Sequence, residues 1–137
     1  MNKIISLNTK TKREVINLTD KVNEIVKESK VKDGICLINI LHTTAALIIN
    51  EDEEGFKKDI LKLFEQIIAK DGWEHPDTSD MCERRNATSH LAAVLIGSFQ
   101  AVGIKEGKLN LGTWQNILFV ELDGPRNNRQ VAVKIVK

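Results

Sequence analysis

Three histidines, one glutamate and one glutamine carry most of the chemistry that this sequence can offer. His42 ends the apolar stretch "ICLINILH", where a strand stops and a side chain can reach a ligand. If the chain from Ile35 stays extended, Cys36, Ile38, Ile40 and His42 share a face. Unbroken alternation adds Thr44, Ile48 and Asn50 to that face, and a bulge at "TT" would break the parity. A histidine placed there either moves protons or binds a metal, or it is a strand-end residue hydrogen-bonded to backbone. "NEDEEG" follows at 50–55. Asp52, Glu53 and Glu54 suit the positive N-terminus of a following helix. Asn50 and Glu51 directly follow a buried run and are less well explained in that way. His90, in "SHLAAVLIG", shares a helical face with Ala93, Val94 and Gly97, and is either a satisfied core residue or part of a site. His75 lies in 71–88, a stretch without periodicity; loops of that length are usually functional or mobile.

A second cluster sits in "LNLGTWQNILFVELDGPR", 109–126. Read as one strand, it places Leu111, Thr113, Gln115, Ile117, Phe119 and Glu121 on one face. Asn110, Gly112, Trp114, Asn116, Leu118 and Val120 take the other. Gly112 would let a ligand or a second chain approach the backbone. Gln115 offers a donor and an acceptor between apolar neighbours; it is either internally paired in a bulged strand or turned toward a ligand. "DGPRNNR" brings Arg126 and Arg129 together with backbone amides, a phosphate-binding combination that is equally a solvated hairpin loop. No Walker A loop, G-x-G-x-x-G, G-x-S-x-G elbow or HExxH is present, so any metal would be held by scattered ligands.

The elements that must position these residues follow from pattern. Residues 2–9 and 12–17 read as short strands. Thr19 or Asp20 suits the N-cap of a helix over about 20–30, with Val22, Ile25 and Val26 as its apolar stripe. "ICLINILH" is apolar on both faces, as a strand between two layers would be. "AALIIN" reads as a strand. "GFKKDILKLFEQIIAK" is an amphipathic helix in which Phe56, Ile60, Leu63, Phe64 and Ile67 recur at the helical period and Lys57, Lys58, Lys62 and Glu65 face outward; Gly72 lies just beyond it. Thr88 or Ser89 can cap a short buried helix. Strands are expected to about 104, over "LNLGTWQNILFVELD", and over "RQVAVKIVK", with "KEGK" and "GPRNN" as connections. The class is mixed: mostly antiparallel strands with two to three helices on a sheet, in one domain over residues 1–137.

Composition sets the bounds. A chain of 137 residues, 42% hydrophobic and 28% charged, is an ordinary globular composition. The net charge of +1 gives no footprint for nucleic acid. No stretch approaches the ~20 apolar residues of a membrane span. Cys36 and Cys82 form no CxxC spacing and are expected as reduced thiols of a cytoplasmic protein. Neither nucleic acid nor membrane is an expected partner.

"HTTAALIINEDEEG", then "N-x-x-SHL-x-A-x-L-x-GS", then "GKLNLGTWQNILFVELDGPR" closely resemble the YjbQ family, also called the secondary thiamine-phosphate synthase family. The resemblance runs through almost the whole chain. It implies an α+β sandwich assembling as a homotrimer, with sites near subunit interfaces and a weak thiamine-phosphate-synthase activity. It maps the family's polar signature onto His42, Thr43, Asn50, Glu51, His90, Gly112, Trp114 and Gln115, with Arg126 in "DGPR". A His-Asp pair of the family's long loop reads here His75-Pro76-Asp77.

Three functions follow as expectations. The first is transfer of a hydroxymethylpyrimidine diphosphate onto a thiazole phosphate. Its catalytic group is His42, Glu51, His90 and Gln115, and its substrate contacts are Thr43, Asn50, Gly112, Trp114 and Arg126. Here Glu51 holds Mg²⁺ or a pyrimidine hydrogen bond, His42 or His90 protonates the leaving oxygen, and Arg126 meets phosphate. The second is a metal-dependent hydrolase, with His42, His75 and His90 on a transition metal such as zinc and Glu51 as base or fourth ligand. The third is a non-catalytic trimer that binds a small ligand.

Overall fold

The structure, a computed structural model, describes residues 1–75 and 85–137. Its described elements are β1 (Asn2–Leu7), β2 (Glu14–Asn17), α1 (Thr19–Ser29), β3 (Asp33–Ile40), β4 (Ala45–Asn50), α2 (Glu54–Ile67), α3 (Ala87–Ile96), β5 (Phe99–Lys105), β6 (Lys108–Leu109), β7 (Asn116–Glu121) and β8 (Arg129–Val136). They form a five-stranded sheet in the order β1-β8-β3-β5-β6 and a three-stranded sheet in the order β2-β7-β4. Every pairing in both is antiparallel. The α+β sandwich expected from the sequence is the fold observed.

The smaller sheet is the middle layer. Ala45 and Leu47 of β4, with Ile117 and Phe119 of β7, pack into one core with β3, β5, β8 and helix α1. The alternate residues, Ala46, Val120 and Leu122, pack against Phe64, Ile68, Ala92 and Ala93 of the α2–α3 layer. Burial on both faces is why "AALII" and "ILFV" show no polar alternation. β3 was expected to be such a strand and is not. Cys36, Ile38 and Ile40 are buried, but Ile35 is 49% exposed, because only one face of the larger sheet is covered.

Helix ends depart from expectation in instructive ways. Leu18 stands at the N-cap of α1, not Thr19 or Asp20, and supplies no side-chain bond. Asn17 Oδ1 instead accepts the Thr19 N–H at 2.8 Å, and Thr19 Oγ1 accepts the Ile117 N–H at 2.9 Å, tying helix to sheet. Glu53 caps α2, accepting the Gly55 and Phe56 N–H groups at 2.7 Å each, and those bonds hold its carboxyl below the usual range. Asp52 takes Asn17 at 2.8 Å and Lys57. α2 ends at Ile67, with Ile68 as its C-cap, so Gly72 lies beyond its end. α3 starts behind Asn86 rather than Thr88 or Ser89.

The expected long strand at 109–123 is the largest correction. β6 and β7 are separated by a turn in which Gln115 N–H donates to Gly112 O at 3.0 Å and Gly112 N–H donates to Gln115 Oε1 at 2.8 Å. The two-face reading of Leu111 to Gln115 fails with it. "KEGK" is the tight turn expected, with Glu106 at φ 54° and Gly107 at φ 79°.

Candidate functional site

Of the connections that carry the chain between the two sheets, three meet at one end of the sandwich. Residues 8–13 lead from β1 to β2, 41–44 from β3 to β4, and 122–128 from β7 to β8. The last was read as a hairpin loop; its flanking strands lie in different sheets, so it is a crossover. The connections bond one another: Thr9 N–H to Arg126 O at 2.9 Å, Gly124 N–H to Lys12 O at 2.9 Å, and Leu122 N–H to Thr44 O at 3.2 Å. Backbone that leaves a ladder while buried needs other partners. Polar side chains supply them.

Glu121 is the centre of that supply. It is fully buried, and its Oε1 accepts the Leu122 and Asp123 N–H groups at 2.9 Å each. Arg129 meets both carboxylate oxygens, Nη2 at 2.5 Å and Nε at 2.8 Å, and Thr9 Oγ1 donates to Oε2 at 2.9 Å. Burial alone would raise the Glu121 pKa; the Arg129 and backbone hydrogen bonds outweigh it and hold the carboxyl down. Arg129 also donates to Thr44 Oγ1 at 3.0 Å. Gly124 sits where a Cβ would meet Thr11 O at 2.1 Å and Thr9 Oγ1 at 3.0 Å, so "DGPR" needs its glycine. Thr9, Thr44, Glu121 and Asp123 were not singled out from the sequence as a cluster. A Glu and an Asp interrupting "ILFVELDG" were the available signal.

The histidines lie around this cluster. His42 Nε2 accepts the Gln130 N–H at 2.7 Å. That is the strand-end role weighed from the sequence, and it fixes the neutral tautomer with the proton on Nδ1. Burial, then the charge of Arg129, lowers the His42 pKa further. Thr43 is exposed in the same turn. Asp123 is buried, accepts from Asn86 Nδ2 at 3.1 Å and pairs with Arg126 Nη2 at 2.7 Å. Asn86 and Ser89, whose Oγ donates to Leu122 O at 2.7 Å, dock the start of α3 on this crossover. Docking presents His90, whose ring stacks on His75 with centroids 4.7 Å apart and planes 29° apart. Burial, then the neighbouring His75, lowers the His90 pKa, with Asp123 opposing. His75 Nδ1 is buried with no hydrogen-bond partner among the described residues. Asp77 and Cys82 lie outside the described residues. Cys36 is in the core, where burial pushes its thiol up to about 11, away from nucleophilic use.

The remaining site residues lie at the other end of the middle sheet. β4 runs from Ala45 beside the crossovers to Asn50, and β7 runs back from Asn116 to Glu121. Six residues of strand place the two ends about 17 Å apart. There Ile49, Asn50, Glu51, Trp114 and Gln115 line an open groove of about 420 Å³. Trp114 is 72% exposed. Glu51 makes no side-chain bond among the described residues, whereas Asp52 and Glu53 are spent on the start of α2. Gly112 accommodates the Gln115 amide, whose Oε1 would be 3.3 Å from a Cβ there. The structure thus brings His75, His90 and Arg126 to one end with His42, and Asn50, Glu51, Gly112, Trp114 and Gln115 to the other.

This division bears on the metal expectation. Among the described residues no three His, Cys, Asp or Glu side chains are grouped to hold an ion. His75 and His90 meet, but His42 Nε2 is engaged by Gln130 and Glu51 is at the opposite end. The three-histidine and glutamate set does not fit a metal within one chain.

A family model described as UPF0047 protein YjbQ-like matches residues 3–137. A UPF0047 protein of Archaeoglobus fulgidus is 42% identical over 128 residues, covering 93% of this chain and 95% of the relative. The UPF0047 protein YugU of Bacillus subtilis is 36% identical, covering 92% of each. A crystal structure of a YbjQ-like protein from Sulfolobus solfataricus P2 superposes with a TM-score of 0.90 at 40% identity, over 98% of this chain and 95% of that one. A Clostridium acetobutylicum member of the yjbq/upf0047 family gives 0.88 at 39% identity, over 98% and 99%.

Proposed function

The chain belongs to the YjbQ-like UPF0047 family, and from that membership together with the crossover geometry we propose that it is an enzyme of small phosphorylated molecules in which His90 moves the proton. The observation that carries this reading is the state of His90. Its ring is held by stacking on His75, makes no hydrogen bond among the described residues, and has a lowered pKa. A neutral, uncommitted imidazole at pH 7 is a ready general base. His42, bonded through Nε2, is a positioning residue and not a second base. Arg126 stands at the rim. Its side chain is 37% exposed; Nη2 and Nε are given to the carboxylate and carbonyl of Asp123, and the remaining Nη N–H groups can face a phosphate oxygen.

Two chemistries use this arrangement. In the simpler one His90 takes a proton from a water whose oxygen bonds to the ester phosphorus, while the phosphorus–oxygen bond to the alcohol breaks and the alcohol leaves with a proton. The finer reading is the coupling implied by the resemblance, in which the pyrimidine methylene–oxygen bond breaks, diphosphate leaves, and the thiazole nitrogen bonds to that carbon. Arg126 and Arg129 are each already paired with a carboxylate. That transfer therefore calls for an added divalent cation such as Mg²⁺ on the leaving group. The homotrimer belongs to this proposal as well. It gives a partner to the exposed Trp114 and to Ile4, Ile35, Phe99 and Val136 on the open face of the larger sheet.

The test is a pair of assays on wild type and His90→Ala. One follows release of phosphate or alcohol from a panel of small phosphate esters; the other follows Mg²⁺-dependent coupling of the two thiamine precursors. Turnover should fall at least ~100-fold in the variant at unchanged melting temperature. Equal turnover in the two proteins rejects His90 as the base. Solution mass by light scattering tests the trimer.

A further inference from the structure

On the other flank of α3 lies a cationic groove that the candidate site does not use. Thr88 and His90 are two residues apart, about 200° around the helix. His90 looks toward His75, while Thr88 borders a groove of about 440 Å³ between α2, α3 and the start of β2. Lys12, Arg13, Lys70 and Arg85 line it, and its carboxylate, Glu65, is already ion-paired with Arg13 at 3.1 Å. Among the described residues, four cations stand along this groove and its continuation against Glu65 and Asp71, a local excess of positive groups in a chain of net charge +1. Lys12 and Lys70 make no side-chain hydrogen bond or ion pair among the described residues. Phe64 and Ile68 supply an apolar wall.

The groove continues past Lys70, Arg85 and Thr88 into a smaller pocket of about 80 Å³ that reaches Trp73. Trp73 is 45% exposed, yet its indole is fixed, with Nε1 donating to Ala69 O at 2.7 Å. A fixed, exposed aromatic face is a stacking surface for a flat ring. Converging ammonium and guanidinium groups are a seat for phosphate. A volume of this size suits a small molecule.

We propose that this groove binds a small aromatic phosphate of the mononucleotide class, its phosphate held by Lys12 and Lys70 and its ring laid on Trp73. The site is separate from His90 and does not depend on the function proposed above. A macromolecular polyanion is disfavoured by the near-neutral charge of the whole chain.

Titration calorimetry with AMP and CMP, against inorganic phosphate and adenosine, tests it on the full chain. Fluorescence of Trp73 in a Trp114→Phe background is the second readout. At least one nucleotide should bind about tenfold or more tighter than phosphate or adenosine alone and should quench Trp73. Lys12→Ala and Lys70→Ala should each weaken it roughly five- to tenfold, more at low salt than at high. His90→Ala should leave it unchanged, so failure here and failure of the proposed catalysis are told apart. Absence of binding by both nucleotides overturns the proposal. So does binding indifferent to both lysines, adenosine binding as tightly as AMP, or much tighter binding of a single-stranded oligonucleotide.

Discussion

Replacing Arg129 by methionine removes a guanidinium from the one fully buried carboxylate of the crossover end and keeps most of the apolar stem. Glu121 has five hydrogen bonds: two from Arg129, two from backbone N–H groups and one from Thr9. The variant leaves three of them and a buried negative charge without a countercharge. Removing one partner of a buried ion pair costs about 3–5 kcal/mol. At roughly 2 cal/mol/K of unfolding entropy per residue, 137 residues convert that to a fall of roughly 10–17 °C in melting temperature. The pH dependence is the sharper reading. In the wild type the Glu121 pKa is lowered, so its contribution is present above the unfolded carboxyl value and is lost as pH falls through the folded one. In Arg129→Met the same carboxyl, buried and unpaired, is raised; its penalty is full at neutral pH and shrinks on acidification. Thermal melts from pH 7.5 to 5 should show the two proteins converging, and Glu121→Gln with Arg129→Met should recover part of the loss at pH 7. A deficit under ~1 kcal/mol at pH 7, or one that does not shrink with acid, refutes the charge argument.

Gly124→Ala places a Cβ 2.1 Å from Thr11 O and 2.9 Å from Glu121 Cγ, and should cost about 1–3 kcal/mol in urea unfolding, since backbone and not a flexible tip must yield. His42 and His90 both have lowered pKa values, so their contributions are present above the unfolded value of about 6.5 and are lost as pH falls below it. Melting temperature should therefore drop from pH 7 to 5, and His42→Gln with His90→Gln should flatten that slope. Gln115→Ala removes only an exposed turn bond to Gly112 and should leave stability within roughly 1 kcal/mol while abolishing ligand binding at the Glu51–Trp114 groove; wild-type stability together with wild-type binding would remove Gln115 from the site.

Which features were legible in the sequence depended on whether the cause was local. The helix of α2, the "KEGK" turn and the apolar runs of β4 and β7 are written in a few adjacent residues, and the structure has them, although of the α2 stripe Leu63 and Ile67 stand exposed and only Phe64 is buried. The family motifs also carried the fold. The crossover network was not legible, because Glu121 meets Thr9 and Arg129, and Arg129 meets Thr44, only after the chain passes between sheets. "LNLGTWQNILFV" misled for a related reason. Apolar residues on both sides of "GTWQ" are consistent with one strand, and the turn that separates them is closed by the Gln115 side chain, which strand alternation does not register. The candidate residues were found individually, but their division between two ends follows from β4 being a whole strand long.

The division also says what kind of residue each candidate is. Wherever strands change sheets, buried N–H and C=O groups lose their ladder partners, and side chains must replace them. Glu121, Arg129 and Thr9 do so here, and Ser89 does the same from the start of α3. The polarity of this end is therefore required by the fold before any ligand arrives, and substitutions at those positions will disturb folding and function together. His90 and Arg126 are different. One is held by ring stacking and the other reaches past Asp123 toward solvent, and neither satisfies a buried backbone group with all of its capacity. Function at the crossover end is to be sought in these two residues, because they are the ones whose loss the fold can survive.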